Sequence, residues 1–82
     1  MSKHPAPKIV TRIANQAGAD VNVVQTVSKY NPELPAAHMH CTGCGEEGPQ
    51  RNGTYTSAKP AIDDAKKDAA RHARSCEFQA PK

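Results

Sequence analysis

The sequence predicts a small α+β fold: a helical pair at the N-terminus, then a cysteine knuckle, a short β-hairpin and a C-terminal helix. Three observations predict it. Apolar residues recur at helical spacing on both sides of Gly18, Cys41 and Cys44 are separated by two residues with a glycine on each side of Cys44, and Ala58, Ile62, Ala65, Ala69, His72 and Cys76 fall on one helix face.

The chain has 82 residues, so it is read as one small domain with short extensions. A chain of this size buries little apolar surface. Here there is no Trp, one Phe and two Tyr, and much of the apolar count is Ala. Burial is worth roughly 25 cal/mol per Å², which leaves an alanine core thin. A metal, a disulfide or a partner is therefore expected to complete the fold. Three cysteines cannot all pair within one chain. The Met-Ser-Lys start is followed by no apolar run, and no stretch approaches a membrane span. A cytoplasmic protein is expected, and in that reducing compartment a Cys/His set reads as metal-binding before disulfide.

Residues 1–7 hold two prolines and read as a flexible arm. Residues 8–18 and 20–30 read as helices parted by Gly18, with Ile9, Ile13 and Ala17 on one face and Val23, Val24 and Val27 on another. Asp20 is placed to cap the second. A strand over 21–27 competes, because Val is a modest helix former, but Val23 and Val24 break strict alternation. Pro32 and Pro35 make 31–37 a linker, so 8–37 forms a helical hairpin and linker. In the unit 38–78, Asn52-Gly53 suits a type I′ turn between short strands at Gln50-Arg51 and Thr54 to Thr56. The last helix has Thr56 or Ser57 as cap, Pro60 in its first turn and Asp63-Asp64 near its start. Residues 79–82 are a tail.

Metal chemistry follows from spacing. A Cys41-Thr42-Gly43-Cys44-Gly45 turn aims two sulfurs at one point, and His72 and Cys76 project from one helix face, one turn apart. Four protein ligands complete the tetrahedron of a structural zinc and leave no open position. A redox Cys-X-X-Cys wants a βαβ setting that is missing, and an iron–sulfur cluster usually takes four thiolates. His38 and His40 flank the knuckle and compete with His72 as fourth ligand. Residues 41–76 resemble the zinc-finger family in its Cys-Cys-His-Cys form. They depart from it by placing 27 residues between Cys44 and His72. The DNA-reading finger has about 12 there, so its base-reading positions do not transfer.

Ile13, Ala14, Ala17, Gly18, Ala19, Val24 and Val27 fill the slots of a helix-turn-helix, in which a small Ala lets two helices touch and a Gly turns the chain. The run resembles the DNA-reading unit of lactose-repressor-type bacterial regulators. The resemblance implies a recognition helix near 20–30, with Asn22 and Gln25 reading bases and Thr26 and Lys29 on phosphates. Arg12 then holds backbone from the first helix. Lys67, Arg71 and Arg74 line up on the last helix and can follow a phosphate backbone, although Asp63, Asp64 and Asp68 share that helix.

Net charge is +3, which permits nucleic-acid binding without demanding it. No Ser–His–Asp grouping, Walker loop or open metal site is visible, so no enzyme is expected. The expectation is a small zinc-finger DNA-binding protein, a bacterial, phage or plasmid transcriptional regulator. A zinc-stabilised protein-interaction module, an adaptor or inhibitor, is the alternative. Neither reading implies a membrane or a small-molecule substrate.

Overall fold

A computed structural model of the chain describes residues 7–78. The arm at 1–6 and the tail at 79–82 lie outside the described residues. Four strands, β1 (Lys8–Ala14), β2 (Asp20–Val27), β3 (Pro35–Cys41) and β4 (Arg51–Asn52), precede one helix, α1 (Lys59–Ser75). The strands form an antiparallel sheet in the order β1-β2-β3-β4, a simple meander.

The expected N-terminal helical pair is absent, and with it the helix-turn-helix. Residues assigned to its two helices instead form β1 and β2, paired antiparallel from Lys8↔Gln25 to Ala14↔Asp20 with one register shift between Ile9 and Thr11. The physical reason is composition. Ile9, Val10, Thr11, Ile13, Val21, Val23, Val24, Thr26 and Val27 are β-branched, which disfavours a helix and suits a pleated surface. The segment read as the turn between helices is a turn between strands. Asn15 accepts from the backbone N–H groups of Ala17 and Ala19 through its side-chain oxygen, both at 2.9 Å. Gly18 takes φ +86°, a left-handed conformation that glycine adopts without steric penalty.

The expected linker also splits. Residues 28–34 form the β2–β3 connection, closed by the Ser28 N–H donating to the Leu34 carbonyl at 2.8 Å. Pro35 opens β3, a position at the start of a strand that tolerates proline. β3 thus crosses the boundary expected at residue 38 and joins both halves in one sheet. The hairpin at Asn52-Gly53 does not form. A type I′ turn needs positive φ at both central residues, and among the described residues only Gly18 and Gly45 have it. Arg51 and Asn52 pair with Ala37 and Ala36 of β3 instead.

The helix lies where expected. Pro60 is in its first turn, but the expected cap at Thr56 or Ser57 does not form. Ala58 takes the N-cap position, with no side-chain oxygen to cap with, and Ser57 Oγ accepts from the Lys59 N–H at 3.1 Å just before the helix. Its buried face, Ala61, Ala65, Asp68, Ala69 and Ala73, is rotated slightly from the one expected, leaving Ile62 half-buried. It packs across β2 and β3 against Val21, Val23, Ala37, Met39 and Cys41. Alternation along the strands places Arg12, Asn22, His38 and His40 on the opposite face of the sheet. A bidentate ion pair fastens the helix to β4: Arg51 Nε and Nη2 reach the buried Asp68 carboxylate at 2.8 and 2.9 Å. Among the described residues, no helix is long and apolar enough to cross a membrane.

Candidate metal centre

β3 delivers Cys41 at its last position, and the chain then turns back on itself. The Gly45 N–H donates to the Cys41 carbonyl at 2.9 Å, and the Cys41 N–H donates to the Glu46 carbonyl at 2.8 Å. Gly45 sits at φ +81°, which this reversal requires. Thr42 pins the knuckle to the start of β2, its N–H and hydroxyl both donating to the Asp20 carbonyl at 2.9 and 2.8 Å. Cys44 is carried outward to the exposed side of the turn.

The helix supplies the other half. His72 lies in its last turn, and Cys76 follows its end, with the Cys76 N–H donating to the His72 carbonyl at 2.9 Å. The ligand atoms of Cys41, Cys44, His72 and Cys76 all lie within 4.8 Å of one another. Cys41 Sγ and Cys76 Sγ are 3.8 Å apart, and Cys44 Sγ is 3.3 Å from His72 Nε2. A tetrahedral zinc with Zn–S of about 2.3 Å and Zn–N of about 2.0 Å requires S···S edges of about 3.8 Å and S···N edges of about 3.5 Å. The Cys41–Cys76 and Cys44–His72 edges match these values, and the other edges, all within 4.8 Å, need only a small inward shift to close on one such ion. The group can therefore hold a single metal.

Surrounding groups orient these ligands. Glu46 Oε2 lies 3.5 Å from His72 Nδ1, so the carboxylate favours a proton on Nδ1 and leaves Nε2 free to face the sulfurs. Asn15 Nδ2 donates to Cys76 Sγ at 3.3 Å and to the Phe78 carbonyl at 2.8 Å. The turn carrying Asn15 is itself docked on the helix end, since the Gln16 N–H donates to the Cys76 carbonyl at 3.0 Å. The backbone N–H of Phe78 holds the Cys76 thiol down at about 7; burial opposes this, and Asn15, Cys41 and Cys44 reinforce it. At Cys44 the Glu46 N–H pulls downward, but desolvation together with Cys41 and Cys76 outweighs it and leaves the thiol raised. Such hydrogen bonds stabilise thiolates, the form that binds a metal.

Of the residues singled out in the sequence, the four ligands come together. His38 and His40 do not join them, because β3 alternation turns both to the far face of the sheet, where His38 Nε2 lies 3.3 Å from Glu47 Oε2. The expected DNA-reading set is divided. Arg12, Asn22 and Thr26 lie on the sheet face away from the helix, Gln25 on the helix side, and Lys29 in the β2–β3 loop. Lys67, Arg71 and Arg74 are exposed on the outer side of α1. No recognition helix exists to carry Asn22 and Gln25 into a groove. The sequence reading missed Asn15 and Glu46. Glu46 had a signal, its place two residues after Cys44, whereas Asn15 has none, being brought to Cys76 across 61 positions of chain. Comparison with protein-family models, with curated proteins and with solved structures yields no match for this chain.

Proposed function

We propose that this chain is a non-catalytic binding module, held together by one structural zinc, that engages the phosphate backbone of nucleic acid through the outer face of its helix. The zinc assignment is supported by the donor set. Three thiolates and an imidazole suit zinc far better than the hard cations magnesium or calcium, and four protein ligands leave no position for a substrate. Metal analysis of purified protein tests it, with one zinc per chain expected; metal-free protein with an unchanged fold would overturn it.

One observation carries the nucleic-acid reading. Two of the three acids that share the helix with its cations are engaged elsewhere, Asp63 with Lys59 at 2.8 Å and Asp68 with Arg51, while Asp64 stays exposed near the helix start. Among the described residues, Lys66, Lys67 and Arg74 make no ion pair, and Arg71 reaches only the already occupied Asp68 at 3.8 Å. Lys67, Arg71 and Arg74 stand on one stripe opposite the alanine face; Asp63 and Asp64 temper the charge at Lys67, and the last turns, with Arg71 and Arg74, present a net positive charge. Such a stripe meets phosphates and carries little sequence information. Duplex binding measured at several salt concentrations tests this. Affinity should fall with salt, and the Lys67→Ala, Arg71→Ala, Arg74→Ala triple variant should flatten the log–log slope by up to about 3 units with zinc retained. Absence of salt-dependent binding by the zinc-loaded protein would leave the protein-interaction module as the better account.

A further inference from the structure

The aromatic side chains of this protein are not in its core. Tyr30 is 88% exposed and Tyr55 is 67% exposed, although the chain has only three aromatic residues in all. Both belong to loops at the end of the sheet where the helix begins, four residues before Lys59 in the case of Tyr55, and remote from the metal centre at the helix C-terminus. A hydrogen bond joins the two loops: Asn31 Nδ2 donates to the Tyr55 hydroxyl at 2.8 Å.

The loop bearing Tyr30 is firmly built. The Leu34 N–H donates to the Asn31 carbonyl at 2.9 Å, the Glu33 N–H to Asn31 Oδ1 at 3.1 Å, and the Tyr30 N–H to Ser28 Oγ at 3.3 Å. The neighbouring Lys29 N–H is held by Gln50 Oε1 at 3.1 Å, and its ammonium makes no ion pair among the described residues. A ring presented on an ordered loop loses little entropy when a ligand covers it.

Resting on the nucleic-acid reading above, we infer that Tyr30 and Tyr55 form a stacking platform for unpaired bases of single-stranded nucleic acid, with Lys29 beside it for a phosphate. The chain neighbours of the rings, Lys29, Asn31, Thr54 and Thr56, are polar. A protein partner would want aliphatic support around such rings, whereas base stacking needs only the π-face and a nearby cation. Glu33 shares the loop and offsets part of the Lys29 charge, so stacking rather than backbone attraction dominates at this end. Single strands should therefore bind with weaker salt dependence than duplexes, which have no free base faces to offer.

The absence of Trp makes the test direct, because emission excited in the aromatic band comes from the two tyrosines. Zinc-loaded full-length protein is titrated with a single-stranded oligonucleotide, its duplex, and inorganic polyphosphate. The single strand should quench tyrosine emission, while duplex and polyphosphate should bind without comparable quenching. Tyr30→Ala should weaken single-strand binding by about 5- to 100-fold, Tyr30→Phe should restore it, and duplex affinity should not move. Tyr30 is too exposed for its removal to threaten the fold. Salt-dependent duplex binding combined with unquenched emission, or with a silent Tyr30→Ala variant, would overturn the platform alone. Failure of every polyanion to bind would overturn the platform together with the reading beneath it.

Discussion

Asn15 Nδ2 stands 3.3 Å from the sulfur of Cys76, sixty-one residues further along the chain, and its oxygen organises the β1–β2 turn on the other side. One amide thus ties the first hairpin to the last residue of the candidate metal group. Asn15→Ala should weaken zinc affinity by about 10- to 100-fold, as loss of a partner behind a ligand commonly does. Competition against a chromophoric chelator reads this directly. An unchanged affinity would confine Asn15 to shaping its turn.

Zinc removal should unfold the protein. Structural zinc contributes roughly 10 kcal/mol or more of apparent binding free energy, whereas a core this small supplies a few kcal/mol. Circular dichroism during chelation should show cooperative loss of structure, recovered on zinc addition. His72→Ala should reproduce much of that loss. His40→Ala should leave zinc affinity unchanged, because β3 turns His40 away from the cluster. Equal effects of the two substitutions would contradict the ligand set.

The glycine between the knuckle cysteines is a second sensitive point. A Cβ on Gly43 would collide with the Phe78 carbonyl and lie 3.0 Å from Asn15 Nδ2. Gly43→Ala should displace the segment that donates to Cys76 and weaken zinc binding. Gly45→Ala acts differently, since its φ of +81° costs a side-chain-bearing residue about 1 to 2 kcal/mol with nothing to collide with. The first should be felt mainly as lost metal affinity and the second mainly as a lower melting temperature.

Acid should loosen the sheet–helix joint through Asp68. Its hydrogen bonds to Arg51 hold the carboxyl below its usual range, and the nearby Arg51 and Arg71 charges reinforce this against desolvation. A carboxyl depressed in the folded state contributes stability that is fully present above its unfolded pKa and is lost as pH falls through the folded value. Melting temperature should therefore decline below about pH 4, where an ordinary Asp begins to protonate. Asp68→Asn should start lower and show a flatter acid limb, measured in a range where zinc loading is verified separately.

The metal centre was legible in the sequence because each half of it is local. Cys41 to Cys44 is one turn, and His72 to Cys76 is one turn of helix, so spacing alone aims both pairs. The helix was legible for the same reason. The sheet was not, and two residues explain why. Val10 is the extra residue in a bulge where pairing passes from Ile9↔Val24 to Thr11↔Val23. The bulge puts Ile9 on the open face and Ile13 against the core, so their spacing of four imitates a helix without being one. Val24 in turn lies on the far face from Val23, between Ile9 and His38, and its apolar side chain hides the alternation. A short strand was expected at Gln50-Arg51, where β4 begins, but its pairing was invisible, because its partners, Ala36 and Ala37, are separated from it by the whole knuckle.

The alanines on the buried face of α1 also bear on which ion the Cys41, Cys44, His72 and Cys76 group could accept. Ala61, Ala65, Ala69 and Ala73 are almost fully buried against the sheet, so methyl groups on the helix side set how closely the helix approaches Val21, Val23 and Met39. That spacing bears on how far His72 and Cys76 stand from Cys41 and Cys44, because one pair sits at the end of the helix and the other begins at the end of β3. A bound ion should thus have its radius tested by packing far from the ligands. Widening the seam with Ala69→Val should trade zinc for a larger thiophilic ion such as cadmium, with every ligand still in place.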